Sequence, residues 1–375
     1  MTSKKGKVDI MVLPRRTPDL YAMNAGDGPR SYVQNSSYQR GVVDIAKPII
    51  EEEIARKLDI KNPSSTSPNC IWVADFGCST GHNSFPAMQI VTQAIYQKHA
   101  SSGLIIHKAR ELFVVFNDVI TNDFNTLFSS LPPYRNYNAI GVPGDFHGRL
   151  LPESSLHFAY SSWALHWLTQ APKAVAESGS PAWNKREILY TRDREEVCAA
   201  YLNQYAKDIE AFLEARAVEL MSGGLMALLI PGVPASWNPD TEYTLSSDIN
   251  LLGSCVMDMA KKGRFSEAKV DSFNLPLYFT TPEQLKTILE RSHSFTTERF
   301  EILNNPGKHV LRSVNAHAAF YRAVIEGPLT NHFGSDIIDE LFDLYMEKLA
   351  ASPVFLNPDN DKSIVILAVL KRRSN

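Results

Sequence analysis

Residues 73–83 read VADFGCSTGHN. An apolar run, Ile71-Trp72-Val73-Ala74, ends in an acid, Asp75, and two glycines follow, Gly77 and Gly81. A strand that stops at a carboxylate and turns through glycine into a helix exposes backbone N–H groups to a nucleotide. The same letters also describe an ordinary glycine turn between buried elements, so the rest of the chain decides.

Outward from this stretch, strand and helix signals alternate. The periodicity predicts a helix over 42–58, a buried strand over 71–76 and an amphipathic helix over 83–100, whose Pro86 falls in the first turn. Strands are predicted over 111–118, ending in Asn-Asp, and over 154–162. A long helix over 196–221 stops at Gly223-Gly224 and leads into a strand over 225–231. A Thr-capped helix over 281–292 and strands over 299–303 and 363–372 complete the pattern. Residues 236–275 interrupt it with one helical stretch and no strand, and 317–349 hold two more helices of the same character. The insertion is expected to cap the active face.

The fold class is therefore α/β: a Rossmann-like, mostly parallel sheet with helices on both faces and a mainly helical cap. The expected organisation is an N-terminal segment (1–69) contributing to both sites and a cofactor-binding core (70–235). A helical cap insertion (236–280) and a last part (281–375) that finishes the sheet and adds cap helices follow. Residues 1–17, 61–69 and 177–185 are rich in small, polar or Pro/Gly residues and are expected to be mobile.

The bulk numbers narrow the function. A chain of 375 residues can bury a large core, and 44% hydrophobic with 21% charged residues is the balance of a soluble protein. The net charge of −3 favours neither nucleic acid nor an anionic membrane as partner. No apolar run approaches the roughly 18 residues of a membrane span, and the start lacks the apolar core of a secretory signal. The cysteines, Cys70, Cys78, Cys198 and Cys255, form no C-x-x-C pair and read as reduced thiols of a cytoplasmic protein.

Ligands of such sheets lie at the carboxyl ends of the strands, which makes Asp75, Asn117–Asp118 and Ser161–Ser162 the candidates. The first turn is G-x-x-x-G, not the dinucleotide G-x-G-x-x-G, and no triphosphate-binding P-loop is present. S-adenosylmethionine remains. It carries no phosphate and needs a carboxylate for its ribose diol, for which Asp118 is placed, and polar groups for its amino-acid end, where Asp75 can take the ammonium. Asp118 also reads as a helix N-cap.

Several stretches together resemble the plant SABATH methyltransferases, which methylate carboxyl groups of small acids or ring nitrogens of xanthines with S-adenosylmethionine. They are MNAGDGPRSYVQNSSYQ (23–39), ADFGCSTGHNS (74–84), FNDVITNDFN (116–125), GVPGDFHGRLLPESSLHF (141–158), SSWALHWLTQAP (161–172), AWNK (182–185), KVDSFNLPLY (269–278) and HFGSDIIDELF (332–342). The resemblance implies that Tyr32, Cys78 and Asn83 line the methionine end beside Asp75. It places Asp118 on the ribose with Val119 next to it, and Asp145 and Phe146 about the adenine. Gln39 and Trp167 would bind the acceptor group, with Trp163 and His166 in the same pocket. Ile249, Leu252, Phe320, Tyr321 and Val324 would supply its apolar wall. Asn184, Asp271, Phe273 and Asn274 match positions around a magnesium ion in some members, where it would be structural; they also read as loop caps. A homodimer is implied as well. Two residues depart from the family: Asp145 stands where Ser is common, and Trp163 where Tyr or a smaller residue is common.

The residue types suit methyl transfer to a carboxylate. Displacement at the sulfonium methyl needs the nucleophile in line at about 3–3.5 Å. A carboxylic acid is already ionised at neutral pH and needs no base. Gln39 and Trp167 offer uncharged N–H donors that orient an oxygen without quenching it, whereas a lysine would stabilise the ground-state anion. The expected reaction is methyl-ester formation on a small, largely apolar acid; the alternative is N-methylation of a xanthine-like ring, with His166 as the base. The tryptophans read equally as core packing, and His166 as a satisfied buried histidine.

Overall fold

The computed structural model describes residues 21–60, 69–101 and 111–374. The expectations for 1–17 and 61–68 lie outside the described residues.

Helix α1 (Tyr32–Asn35) is capped by the Ser31 side chain and leads into α2 (Ser37–Lys57). On α2 the residues Tyr38, Gln39, Val42, Val43, Ala46, Ile50 and Ile54 are buried, the stripe of a one-faced helix, while Pro48 sits on the exposed side. Strand β1 (Cys70–Phe76), α3 (Ser84–Ser101), β2 (Glu111–Asp118), α4 (Phe124–Ser129) and β3 (Asn138–Pro143) follow. Then come β4 (Leu156–Ser162), α5 (Lys173–Ala176), α6 (Glu195–Glu219) and β5 (Leu220–Gly232). Helices α7 (Leu245–Lys261) and α8 (Glu267–Asp271) come next. Helix α9 (Pro282–Glu290) carries a capping box of Thr281 and Gln284, with Pro282 in its first turn, and precedes β6 (Phe295–Leu303). Helices α10 (Val314–Phe333), α11 (Ile338–Ala351) and α12 (Pro353–Leu356) lead to the last strand, β7 (Ile364–Arg372).

The seven strands form one sheet in the order β3-β2-β1-β4-β5-β7-β6. Six are mutually parallel; β7 runs antiparallel between β5 and β6. Central strands are buried on both faces because helices cover both, α2 and α3 on one side and α6, α7, α10 and α11 on the other. Asp75 stands opposite Phe116 and Tyr160, and Phe76 opposite Asn117, so the carboxyl ends of β1, β2 and β4 finish level. No helix among the described residues is long and apolar enough to cross a membrane.

Several features differ from the expectations: α6 ends at Glu219, and Gly223-Gly224 lie inside β5 instead of stopping the helix. Strand β3 has no clear signature, because Gly141 and Pro143 dilute its apolar residues at a half-buried sheet edge. The stretch 177–185 is not a free loop over its length: Ala182 and Asn184 are buried, and the Asn184 N–H donates to the Val175 carbonyl at 2.8 Å.

Candidate active site

The turn after β1 is built around three residues in the left-handed region, Gly77, Ser79 and Gly81. Gly77 has φ of +88°, and a Cβ there would come within 2.2 Å of the Ala164 Cβ, so no side chain fits. Ser79 takes φ of +48°, which aims its N–H at Asp118 Oδ2, 2.7 Å away. The Val119 N–H donates to the other oxygen, Oδ1, at 2.8 Å. Asp118 is thus gripped by two backbone donors and keeps further lone pairs for a ligand. Beside it Asn117 is wholly buried, and its amide donates to the Val142 and Gly144 carbonyls at 2.8 and 3.0 Å, holding the loop after β3.

These residues wall one end of a cleft. Asp75, Gly77, Cys78, Ser79, Asn83, Ser84, Tyr160 and Ser162 line one compartment, closed by Tyr32. Asp118, Val119, Phe146 and Ala164 line the next, under Tyr21 and Met23. Asp75 Oδ2, Ser79 Oγ and Asn83 Oδ1 are buried with no hydrogen-bond partner among the described residues. Burial raises the Asp75 carboxyl to about 7. Burial likewise raises Asp118 to about 6, against the pull of the Ser79 and Val119 N–H groups. Two desolvated carboxyls with acceptor capacity to spare suit a ligand that brings positive charge and hydroxyls. Burial also pushes up the Cys78 thiol, so it stays protonated, and its Sγ contacts the Ser79 carbonyl at 3.5 Å.

Asp145 lies apart from the lining, whereas Phe146 belongs to it. Its Oδ1 accepts from the His147 backbone N–H at 2.9 Å and from Nδ1 of the same residue at 2.7 Å. Burial pushes the Asp145 carboxyl up, but the bonds to His147 outweigh it and hold the value below the ordinary one. His147 was not foreseen; only proximity in sequence to the expected adenine residues hinted at it.

Gln39, Trp163, His166 and Trp167 come together in a third compartment, which shares Tyr32 and Trp163 with the other two. Trp163 itself adopts φ of +56°, with its ring edge-on to Tyr38 at 5.4 Å. Gln39 Oε1, Trp163 Nε1 and His166 Nδ1 are buried without a partner among the described residues. Burial drops His166 to about 3, so the ring is neutral at working pH. Ile249, Phe320, Tyr321 and Val324 line this compartment. Leu252 does not: it is fully buried in the core, and Leu245 takes the place beside Ile249. The reason is helical phase, since a residue four positions back shares Ile249's face more closely than one three positions on. Met23, Leu277, Phe279 and Ile325 complete the lining. Their apolar character alone carried no sign of a pocket.

Asn184, Asp271, Phe273 and Asn274 also gather, but not as a cation site. Asn184 donates to Asn274 Oδ1 at 2.8 Å, and its own Oδ1 faces Arg194 Nη1 at 3.3 Å. Asp271 Oδ1 accepts the Arg186 N–H at 2.8 Å, and the Phe273 ring lies against His332 at 4.9 Å. The oxygens are spoken for by nitrogen donors, and a guanidinium stands where a second cation would be repelled, so magnesium does not fit these residues as arranged. Among the described residues no group of three His, Cys, Asp or Glu side chains forms a metal site. Chelation with EDTA is expected to leave the melting temperature unchanged; a fall reversed by added magnesium would overturn this.

The chain is similar to known proteins along its length. Residues 18–373 match the family model of SAM dependent carboxyl methyltransferases. Loganic acid O-methyltransferase of Catharanthus roseus is 40% identical over 376 residues, covering 100% of both chains. Farnesoic acid carboxyl-O-methyltransferase of Arabidopsis thaliana is 39% identical, with 88% of this chain and 92% of that one covered. Paraxanthine methyltransferase 2 of the same plant is 37% identical over the same shares, 88% and 92%. A solved loganic acid methyltransferase with SAH superposes with a TM-score of 0.87 at 41% identity, covering 94% of this chain and 99% of that one. A methyltransferase sheet whose strand-end acids face an open cleft, and relatives matched from end to end, lead to one conclusion: the chain belongs to the SAM-dependent carboxyl methyltransferases, the SABATH family.

Proposed function

We propose that this enzyme transfers the methyl group of S-adenosylmethionine to the carboxylate of a small, largely apolar acid, giving the methyl ester. The observation that carries the reading is the third compartment. Unpartnered uncharged polar groups line it, Gln39 and Trp163 at its junction with the cofactor compartments and His166 within it, and no Lys, Arg, Asp or Glu lines it among the described residues.

In this reading Asp75 takes the cofactor's ammonium, with Tyr32, Cys78 and Asn83 around the methionine end. Asp118 accepts the ribose hydroxyls beside Val119. Phe146 covers the adenine, while Asp145 stands behind it, holding His147. When bound, the cofactor supplies an electrophilic methyl on a sulfonium. Gln39 and Trp167 hold one acceptor oxygen by N–H donation, and Trp163 and His166 close the site against water. Leu245, Ile249, Phe320, Tyr321 and Val324 hold the apolar body of the acid. The core at 70–235, with 236–280 and the later helices as cap, is the division that serves this task. We expect the enzyme to work in the cytoplasm as a homodimer; sedimentation checks the second point.

The neutral His166 weighs against the xanthine alternative. A base with a pKa of about 3 is far too weak to take a ring N–H proton at neutral pH. The relatives include a paraxanthine methyltransferase, so the two readings are tested side by side. The enzyme is incubated with cofactor and farnesoic, benzoic and loganic acids and paraxanthine, and the products are read by mass. Methyl esters are expected, farnesoic or benzoic acid ahead of loganic acid, and methylation of paraxanthine alone would overturn the reading. Gln39→Ala and Trp167→Phe are each expected to lower turnover at least about tenfold, roughly one lost hydrogen bond. Their effects should be non-additive because both orient one group. Affinity for S-adenosylhomocysteine should hardly change.

A further inference from the structure

Behind the apolar wall of the acceptor compartment lies a polar cluster that the reaction does not use. His317 on α10 is fully enclosed, and both its ring nitrogens face oxygens: Nε2 is 2.6 Å from Asp248 Oδ2, and Nδ1 is 3.3 Å from the Leu311 carbonyl. A carbonyl oxygen only accepts, and a neutral imidazole has one N–H to give. With Tyr345 of α11 donating its hydroxyl to Asp248 Oδ1 at 2.8 Å, the arrangement is an imidazolium held by a carboxylate. Burial disfavours the charge on His317, but Asp248 outweighs it and raises the pKa.

The cluster joins three cap helices at one point. Phe320, Tyr321 and Val324 follow His317 by three, four and seven residues, so they continue its face of α10 toward the cleft. On α7, Ile249 is the next residue after Asp248, and the Tyr321 hydroxyl reaches the Leu245 carbonyl at 3.5 Å. From the sheet side Asp361 accepts the Tyr38 hydroxyl at 2.9 Å, and the Tyr38 ring packs on Phe320 at 5.2 Å and on Trp163 at 5.4 Å.

We propose that the buried His317–Asp248–Tyr345 cluster positions the acceptor wall, fixing the spacing of α7 and α10 and with it which acids fit. The physical ground is directionality. Apolar side chains slide over one another at little cost, whereas a buried ion pair holds one register and punishes departure from it. These are positioning residues; they touch the wall, not the substrate. The proposal rests on the reading of the third compartment as the acceptor site.

The test uses the full chain, with farnesoic and benzoic acids as probes. Asp248→Asn keeps the volume and an acceptor for Tyr345 but removes the charge that holds His317 protonated. Its KM for the better of the two acids is expected to rise about tenfold or more, with the KM ratio between the acids altered. The kcat should stay within about twofold, and the Kd for S-adenosylhomocysteine should not move. Tyr345→Phe should shift KM in the same direction by less, and the two changes should be non-additive because they share one carboxylate.

A pH profile separates positioning from mere stabilisation. The groups facing His317 are Asp248 on α7, Tyr345 on α11, Tyr321 on α10, and Tyr243 and Asp361 from the loops beside α7 and β7. A raised folded-state pKa means that the clamp is complete below the ordinary value of 6.5 and is lost as pH rises through the folded value. KM for the acid should therefore climb on the alkaline side, and Asp248→Asn should move that climb to lower pH. If Asp248→Asn does not fold, Tyr345→Phe decides. Folded variants with a lower melting temperature but unchanged KM, KM ratio and pH profile overturn the proposal. Gln39→Ala is run in parallel. If it lowers kcat/KM and the cluster variants leave KM unmoved, only the positioning role falls; if Gln39→Ala leaves kcat/KM unmoved too, the acceptor reading falls with it.

Discussion

Asp118→Ala is expected to weaken S-adenosylhomocysteine binding about a hundredfold or more, since two hydrogen bonds to a charged acceptor go, at about 1.5–3 kcal/mol each. The loss has a second source. The Asp118 carboxylate also accepts the Ser79 and Val119 N–H groups at 2.7 and 2.8 Å, so its removal frees the left-handed Ser79 turn that shapes the cofactor compartment. Asp118→Asn keeps one acceptor oxygen and should lose less. Calorimetry on folded protein checks both, and an unchanged Kd in Asp118→Ala would take the residue out of the site.

The same acids set a pH dependence. Burial raises Asp75 to about 7 and Asp118 to about 6, both above the ordinary 3.8. Between 3.8 and about 7 the ligand-free folded chain therefore holds more protons than the unfolded one, and its stability falls as pH rises through that window. A cofactor ammonium reverses the preference by favouring the ionised acid. Affinity for S-adenosylhomocysteine should drop up to about tenfold for each pH unit below 7, and the thermal shift it produces should be larger at pH 8 than at pH 5.5. A flat profile would separate Asp75 from the ammonium.

Arg216→Met is expected to destabilise the protein by about 3–5 kcal/mol, the cost of leaving one member of a buried ion pair alone. Arg216 and Glu219 are both wholly buried, with Nε 2.7 Å from Oε2. The guanidinium also donates to the Phe146 and Gly148 carbonyls at 2.7 and 2.9 Å and lies 4.0 Å over the Phe76 ring. Glu219 accepts the Leu150 and Leu151 N–H groups at 2.5 and 2.8 Å. The pair therefore serves four backbone groups of the loop that carries Asp145 and Phe146. An apolar replacement of both residues should not restore stability, because all four groups would lose their partners, the Phe146 carbonyl and the Leu151 N–H in buried positions. Denaturant titration checks this; recovery in the double variant would make the backbone bonds dispensable.

Much of this protein was legible in the residue order. Apolar runs alternating with helical periods determined a parallel sheet clothed on both sides, and strand polarity then put Asp75, Asn117–Asp118 and Ser161–Ser162 at one edge. Both follow from local rules: a doubly buried strand needs apolar residues throughout, and a right-handed crossover brings every parallel strand out at the same side. The quoted motifs fixed the family for the same reason, since backbone geometry at Gly77 leaves few choices of residue. What the tertiary structure alone decided is where side chains distant in sequence meet. It put Leu245 rather than Leu252 beside Ile249 in the third compartment, turned Asp145 to His147, and set Arg194 against Asn184, one of the residues expected around magnesium. It also buried Arg216 with Glu219 and His317 with Asp248, charges that a sequence reading places on the surface. A charged residue shows its burial only through the partner that makes burial tolerable, and for His317 that partner lies on another helix, 69 positions away.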